Sequence, residues 1–204
     1  MVSAKLYVEG GGDSEALRTR CREGFRRFLE NAGFRSSMPR IVACGGRQAA
    51  YDRFNTACQA NETALLLIDS EDIVASGTSP WTHLANRQGD GFAKPVNAND
   101  NHCHLMVVCM ESWFLADKDA LARFFGQGFN ANGLPQNNNI EAVSKTDIYN
   151  GLAAATSHCK TKAPYGKGEH SFKILLHIAP DKISAASPWA KRFLETLQKI
   201  MDGN

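Results

Sequence analysis

Ala64-Leu65-Leu66-Leu67-Ile68-Asp69-Ser70-Glu71-Asp72 decides the fold. Five apolar residues run without alternation and stop abruptly at acids. A strand with one wet face alternates apolar with polar residues. An uninterrupted apolar run is what a central parallel strand needs when both its faces are covered. Working back from it, Arg40-Ile41-Val42-Ala43-Cys44 reads as a second strand, followed by Gly45-Gly46 and a helix from Arg47 to Ala60. Earlier still, the β-prone Lys5-Leu6-Tyr7-Val8 ends in Glu9, then Gly10-Gly11-Gly12 and Asp13. Leu17, Cys21, Phe25, Phe28, Leu29 and Ala32 recur at spacings that share one helix face. Asp13 or Ser14 can cap the start of that helix, and Gly33 marks its end.

Working forward, a polar stretch containing Trp81 and His83 continues to Asn101. His104 to Cys109 then reads as a strand leading to Glu111, and Trp113 to Phe125 as a helix. Alternating strands and helices predict an α/β fold, a mostly parallel sheet flanked by helices. Gly126 to Asn139, rich in Gly and Asn, reads as a loop. Helical segments are expected over Ser144–His158, around Phe172–Ile178 and over Pro188–Met201. With no repeat or linker between them, residues 1–125 form the expected α/β core. Residues 126–204 form a helical C-terminal extension packed on it as a single globular unit.

The 204 residues are 43% hydrophobic and 22% charged, the balance of an ordinary globular protein and not of a disordered one. No apolar run approaches the roughly 20 residues that cross a bilayer, so no membrane partner is expected. Met1-Val2-Ser3-Ala4-Lys5 leads into an apolar run too short for an export signal, so the expected location is cytoplasmic. Six scattered cysteines form no C-x-x-C pair and read as reduced, small hydrophobes. A zinc set of His102, Cys103, His104 and Cys109 is disfavoured, because alternation along a strand sends neighbours to opposite faces. The net charge of +2 does not by itself announce a nucleic-acid partner.

In a parallel α/β sheet, ligands bind outside the carboxyl ends of the strands. Three strands end there in acids: Glu9; Asp69 with Glu71 and Asp72; and Glu111. Crowded carboxylates repel and raise one another's pKa, and a bound Mg²⁺ or Mn²⁺ relieves that repulsion through oxygen ligands. The D-x-E spacing lets Asp69 and Glu71 leave a tight turn on the same side. Asp13 can add a ligand directly or through water, with Asp72 as a helper. The competing reading takes these acids as solvated loop residues and caps, with Glu111 anchoring a helix start beside Trp113 and Phe114.

The glycine turn fails as a dinucleotide fingerprint because Glu15 stands at the third glycine's place, and Gly166-Lys167-Gly168 is too short for a P-loop. Arg18, Arg22 and Arg26 at i, i+4 and i+8 make a basic stripe, either a solvated face or a nucleic-acid track. Gly45-Gly46-Arg47, at a strand-to-helix turn, offers free N–H groups and a guanidinium to a phosphate, or is a simple tight turn. Tyr165, Lys167 and His170, near Lys160 and Lys162, form either a substrate clamp or a mobile loop. In a clamp, Lys167 would stabilise charge on a pentavalent phosphorus. Trp81, Trp113, Trp189 and His83 read as packing residues.

Val8-Glu9-Gly10 and Asp69-Ser70-Glu71 resemble the glutamate and D-x-D motifs of Toprim domains, a fold shared by topoisomerases, bacterial primases and OLD-family nucleases. The run from Val8 to Asp13 is most similar to the OLD-type glutamate motif. The likeness covers residues 4–117, with Glu71 in place of the second aspartate. The whole chain, including Cys109-Met110-Glu111-Ser112-Trp113-Phe114, Ala116-Asp117 and Tyr165-Gly166-Lys167-Gly168, also resembles an uncharacterised Toprim-like bacterial family. Members of that family are often encoded beside an ATPase in phage-defence loci. The resemblance implies a Mg²⁺- or Mn²⁺-dependent nuclease acting on DNA or RNA, with Glu9, Asp69 and Glu71 holding the metal and an ATPase as protein partner. Its rivals are a non-catalytic subunit of an ATPase complex with a vestigial metal site, and a small nucleotide-hydrolysing enzyme.

Overall fold

The computed structural model describes residues 4–203. Met1 to Ser3, on which part of the localisation expectation rests, lie outside the described residues. Four strands form one parallel sheet: β1 (Lys5–Gly11), β2 (Arg40–Gly45), β3 (Ala64–Asp69) and β4 (Cys103–Met106), in the order β2-β1-β3-β4. β3 is buried along its whole length, as its unbroken apolar run requires. Val8 stands opposite Ala43 on one side and Leu67 on the other. From β1 the chain crosses outward to β2. It then returns over β1 to β3 and continues to β4. The direction of winding therefore reverses between β1 and β3, the position where open α/β sheets leave a crevice at their carboxyl edge. Because crossovers between parallel strands are right-handed as a rule, this reversal puts α1 (Glu15–Asn31) and α2 (Arg47–Gln59) on opposite faces.

Ser14 caps α1, its Oγ accepting from Leu17 N at 3.2 Å. The apolar face of α1 buries Cys21, Phe25, Phe28 and Leu29, and Phe28 stacks on Trp113 with ring centroids 5.2 Å apart. The basic stripe is compensated within its own helix: Arg18 and Arg22 bond Glu15, and Arg26 bonds Glu30. Each arginine of the stripe thus has an acidic partner on the helix, although Arg18 and Arg22 share one.

Between β3 and β4, α3 (Pro80–Asn86) interrupts the polar stretch. It is capped by Ser79 and anchored by Trp81, whose Nε1–H donates to Asn99 O at 2.9 Å. β4 stops at Met106 and not at Cys109, because the next amides turn to a side chain: Val108 N and Cys109 N both donate to Ser112 Oγ. The single helix expected over 113–125 is two elements, a 3₁₀ turn (Met110–Ala116) and α4 (Lys118–Phe125). Asp117 divides them. Its Oδ1 caps Ala120 N and meets Lys182 Nζ at 2.6 Å, while Oδ2 accepts from Ala179 N at 3.1 Å.

The C-terminal half is helical: α5 (Lys145–Thr156), α6 (Lys167–Leu175), α7 (Pro180–Ala186) and α8 (Pro188–Asp202). α6 packs on α1 and α8 on β4. Arg192 of α8 donates to Cys103 O at 3.0 Å and to His104 Nδ1 at 3.2 Å, and His104 Nε2–H donates to Asn101 O at 3.0 Å. Burial, reinforced by Arg192, pushes the His104 pKa down to about 3, so the ring is neutral in the fold. Between pH 6.5 and 3 the unfolded chain binds a proton there that the folded chain refuses, so this histidine costs stability as pH falls through that window. Wild type is expected to lose about 2 kcal/mol more than His104→Gln between pH 6.5 and 5, read from urea unfolding at the two pH values.

Candidate metal centre

Glu9, near the end of β1, and Asp69, the last residue of β3, flank the crevice at the winding reversal. Glu9 Oε2 accepts from the Asp69 amide at 3.1 Å and from Arg47 at 3.1 Å. Asp69 Oδ1 accepts from Met110 N at 2.9 Å, which leaves its other oxygen free of that bond. Glu71 sits at φ 67°, a left-handed conformation uncommon for a non-glycine residue, and its amide donates to Val108 O at 2.8 Å. One carboxylate oxygen from each of Glu9, Asp69 and Glu71 lies within 4.8 Å of the others. Residues 60 positions apart thus meet at one rim.

Burial raises the Asp69 pKa well above the usual carboxylate range, and the neighbouring Glu9 and Glu111 raise it further, against the pull of Lys167 and Lys145. Burial also raises Glu9, partly offset by Arg47 and the Asp69 amide, while Glu71 adds to the rise. Ionised together, these groups need a cation. The donor set is all oxygen, without thiol or imidazole, and suits Mg²⁺ or Mn²⁺ over zinc. The residues present therefore fit the ion expected of them.

Asp13 and Asp72 fall outside this group. Asp13 is exposed, one residue ahead of the Ser14 cap. Asp72 is spent on an exposed pair with Arg87 at 3.1 Å. Arg47 has a different place from the one expected. Its Nε donates to Asp90 Oδ1 at 2.7 Å, its second terminal nitrogen to Asp90 Oδ2, and the first to Glu9 and to the Asp69 carbonyl. With most of its donors committed inside the protein, Arg47 positions Glu9 and is not a free phosphate fork. Gly45 lies at φ 81°, and a Cβ there would stand 2.7 Å from Gly12 O, so the two glycine turns close on each other. Gly46 is the exposed N-cap of α2. Lys167, in the first turn of α6, lines the same crevice as Glu9 and Asp69.

Of two further neighbours, Lys145 was not legible as a site residue and Glu111 was legible only as one of two alternatives. Lys145 Nζ bonds Glu71 Oε2 at 2.6 Å. Burial lowers its pKa, but the bond to Glu71 and the charge of Asp69 outweigh this and hold it above the ordinary value. Glu111 stands in the first turn of the 3₁₀ segment, where an acid suits a helix start. It is fully buried and accepts from Tyr149 OH at 3.0 Å, Tyr165 OH at 3.1 Å and Ser171 Oγ at 2.9 Å. Those bonds tie Tyr165 down, so the segment before α6 is anchored at the site. His83 is structural, bonding Ser70 O at 2.9 Å.

Lys145 competes with any cation for Glu71. Lys145→Ala is expected to tighten Mn²⁺ binding about threefold to tenfold, roughly 1 kcal/mol for a partly exposed pair, measured by calorimetry. Unchanged or weaker binding would show that Glu71 is not a ligand.

Together these features define an α/β protein with a carboxylate triad at the carboxyl edge of a parallel sheet. The chain belongs to the family described as Domain of unknown function (DUF4276), whose model matches residues 8–198. No curated protein and no solved structure matches it. Among the described residues no helix is long and apolar enough to cross a membrane.

Proposed function

We propose that this protein is a Mg²⁺- or Mn²⁺-dependent nuclease of Toprim type, hydrolysing phosphodiester bonds of DNA or RNA and working with an ATPase partner in phage defence. The observation that carries the catalytic part is the meeting of Glu9, Asp69 and Glu71 within 4.8 Å at the sheet's winding reversal. The phage-defence setting and the ATPase rest on the sequence resemblance alone. Glu9, Asp69 and Glu71 would hold the ion. When bound, it supplies Lewis-acid chemistry, making water more acidic and drawing charge off the phosphoryl oxygens. Arg47 and the Asp69 amide fix the Glu9 carboxylate, and Met110 N fixes that of Asp69, so the ligands are pre-oriented. Lys167 lines the same crevice, where its ammonium would balance negative charge on a phosphate.

A second reading, a non-catalytic subunit of an ATPase complex with a vestigial site, draws on one observation: Lys145 and Arg47 already sit against two of the three acids. Purified protein, with and without its ATPase partner, separates the two when offered single- and double-stranded DNA and RNA in Mg²⁺ or Mn²⁺. The nuclease reading expects cleavage that falls at least about 10³-fold in Glu9→Gln and Asp69→Asn. Equal cleavage by all three proteins would expose a contaminant and remove the assignment.

A further inference from the structure

The crevice bounded by Glu9 and Asp69 holds a cavity of about 340 Å³. Its lining combines two chemistries. Glu9, Asp69 and Glu111 line one part, while Leu17 of α1, Met110 and Phe172 of α6 supply apolar surface. The Phe172 ring rides close over the glycine turn: a Cβ on Gly10 would stand 3.1 Å from its Cζ. Glycine at position 10, at φ 141°, lets that ring approach without a shift.

A volume of this size lies at the low end of the roughly 300–1,000 Å³ range of small-ligand sites, enough for one nucleoside and too little for a base pair. A base within a duplex reaches such a recess only by leaving the stack, at an energetic cost that an unpaired base does not bear. An aromatic face beside a phosphate-handling centre is the arrangement that binds single strands without reading their sequence. We infer that the site takes an unpaired nucleotide, with its phosphate at the carboxylate triad and its base lodged in the cavity against Phe172. The substrate class is therefore a single strand or an unpaired strand end, not intact duplex. This inference rests on the metal-dependent reading above.

Gly168 provides the test. It lines the cavity, lies in the first turn of α6, and a Cβ there meets nothing within 4 Å. Gly168→Phe therefore adds a ring at the cavity without a backbone clash. Phe172→Leu keeps apolar bulk and removes the aromatic face. Binding is read by fluorescence anisotropy, with Ca²⁺ standing in for Mg²⁺ to slow hydrolysis. The probes are labelled 12-nucleotide oligothymidylate, oligouridylate, the blunt 12-base-pair duplex of the former, and thymidine 5′-monophosphate as competitor. Mn²⁺ calorimetry runs in parallel on every variant.

The expected result is single-strand binding at least about tenfold tighter than duplex binding. It should weaken about tenfold or more in Gly168→Phe and about fivefold to tenfold in Phe172→Leu, with Mn²⁺ binding unchanged. Competition by the mononucleotide as strong as by the unlabelled 12-mer would assign the cavity to free nucleotides and overturn the single-strand substrate class. Duplex bound as well as single strand, or both variants binding like wild type, overturns the inference and leaves the metal centre standing. Loss of Mn²⁺ binding in the wild-type protein itself removes both.

Discussion

Asp69→Asn is expected to make the metal-free protein more resistant to heat while abolishing its response to Mn²⁺. Asp69 is buried, and its carboxyl is held well above the usual range by that burial and by Glu9 and Glu111. A carboxyl raised in the folded state binds its proton more tightly there than in the unfolded chain. Folding stability therefore falls as pH rises from the unfolded value, roughly 4, through the folded one, and the penalty is complete above it. Asparagine removes the charge and keeps an oxygen to accept from Met110 N. At neutral pH the gain should be about 1–2 kcal/mol, or roughly 2–8 °C in melting temperature for a chain of this size. Wild type should in turn gain about 2.7 kcal/mol from Mn²⁺ at a hundred times its dissociation constant, and the variant nothing. Thermal melts with and without Mn²⁺, at two pH values, measure both effects. A variant that is less stable without metal and still stabilised by it would end the case for Asp69 as a ligand.

Arg47→Met should act in the opposite sense and more strongly. The Arg47 side chain is 15% exposed and the Asp90 side chain 3%, and the pair is joined through both ends of the guanidinium. Removing the cation leaves Asp90 with Arg87 alone and Glu9 with the Asp69 amide alone. Breaking a buried ion pair from one side costs about 3–5 kcal/mol, because the remaining charge stays buried. The expected fall in melting temperature is roughly 10 °C. Arg47→Lys should recover part of it, since a single ammonium restores the charge but not the fork. The double variant Arg47→Met with Asp90→Asn should be more stable than the sum of the two single changes predicts, a direct measure of the coupling. A melting temperature for Arg47→Met within about 2 °C of wild type, a loss of roughly 1 kcal/mol or less, would mean that the network does not hold the site.

The sheet was readable because its signals are local. The apolar run of β3, the β-prone residues before Glu9 and the amphipathic face of α1 each declare themselves within a dozen residues. The meeting of Glu9, Asp69 and Glu71 followed from the rule for carboxyl edges of parallel sheets. What stayed hidden is long-range. Lys145 bonds Glu71 across 74 positions, and nothing in a helix start beginning Ser144-Lys145 announces an acid elsewhere. Arg47 read as a phosphate ligand because Asp90, its counter-ion 43 positions later, lies in a polar stretch without pattern. Asp13 read as a ligand from proximity to Glu9 in sequence, yet it stands exposed beside a helix cap. Glu111 looked ambiguous because its partners Tyr149, Tyr165 and Ser171 come from helices and a turn that sequence periodicity locates only loosely.

The acids of the centre come from the first 71 residues, and the lysines facing them from α5 and α6. A ribosome delivers these halves in that order, so a nascent chain carries the acids with Arg47 as their basic partner at the site until its last third, bearing the lysines, emerges and docks. Whatever work the protein does is thereby deferred to the end of its own synthesis. A truncated product would keep the acids and Arg47 without the lysines that complete their surroundings.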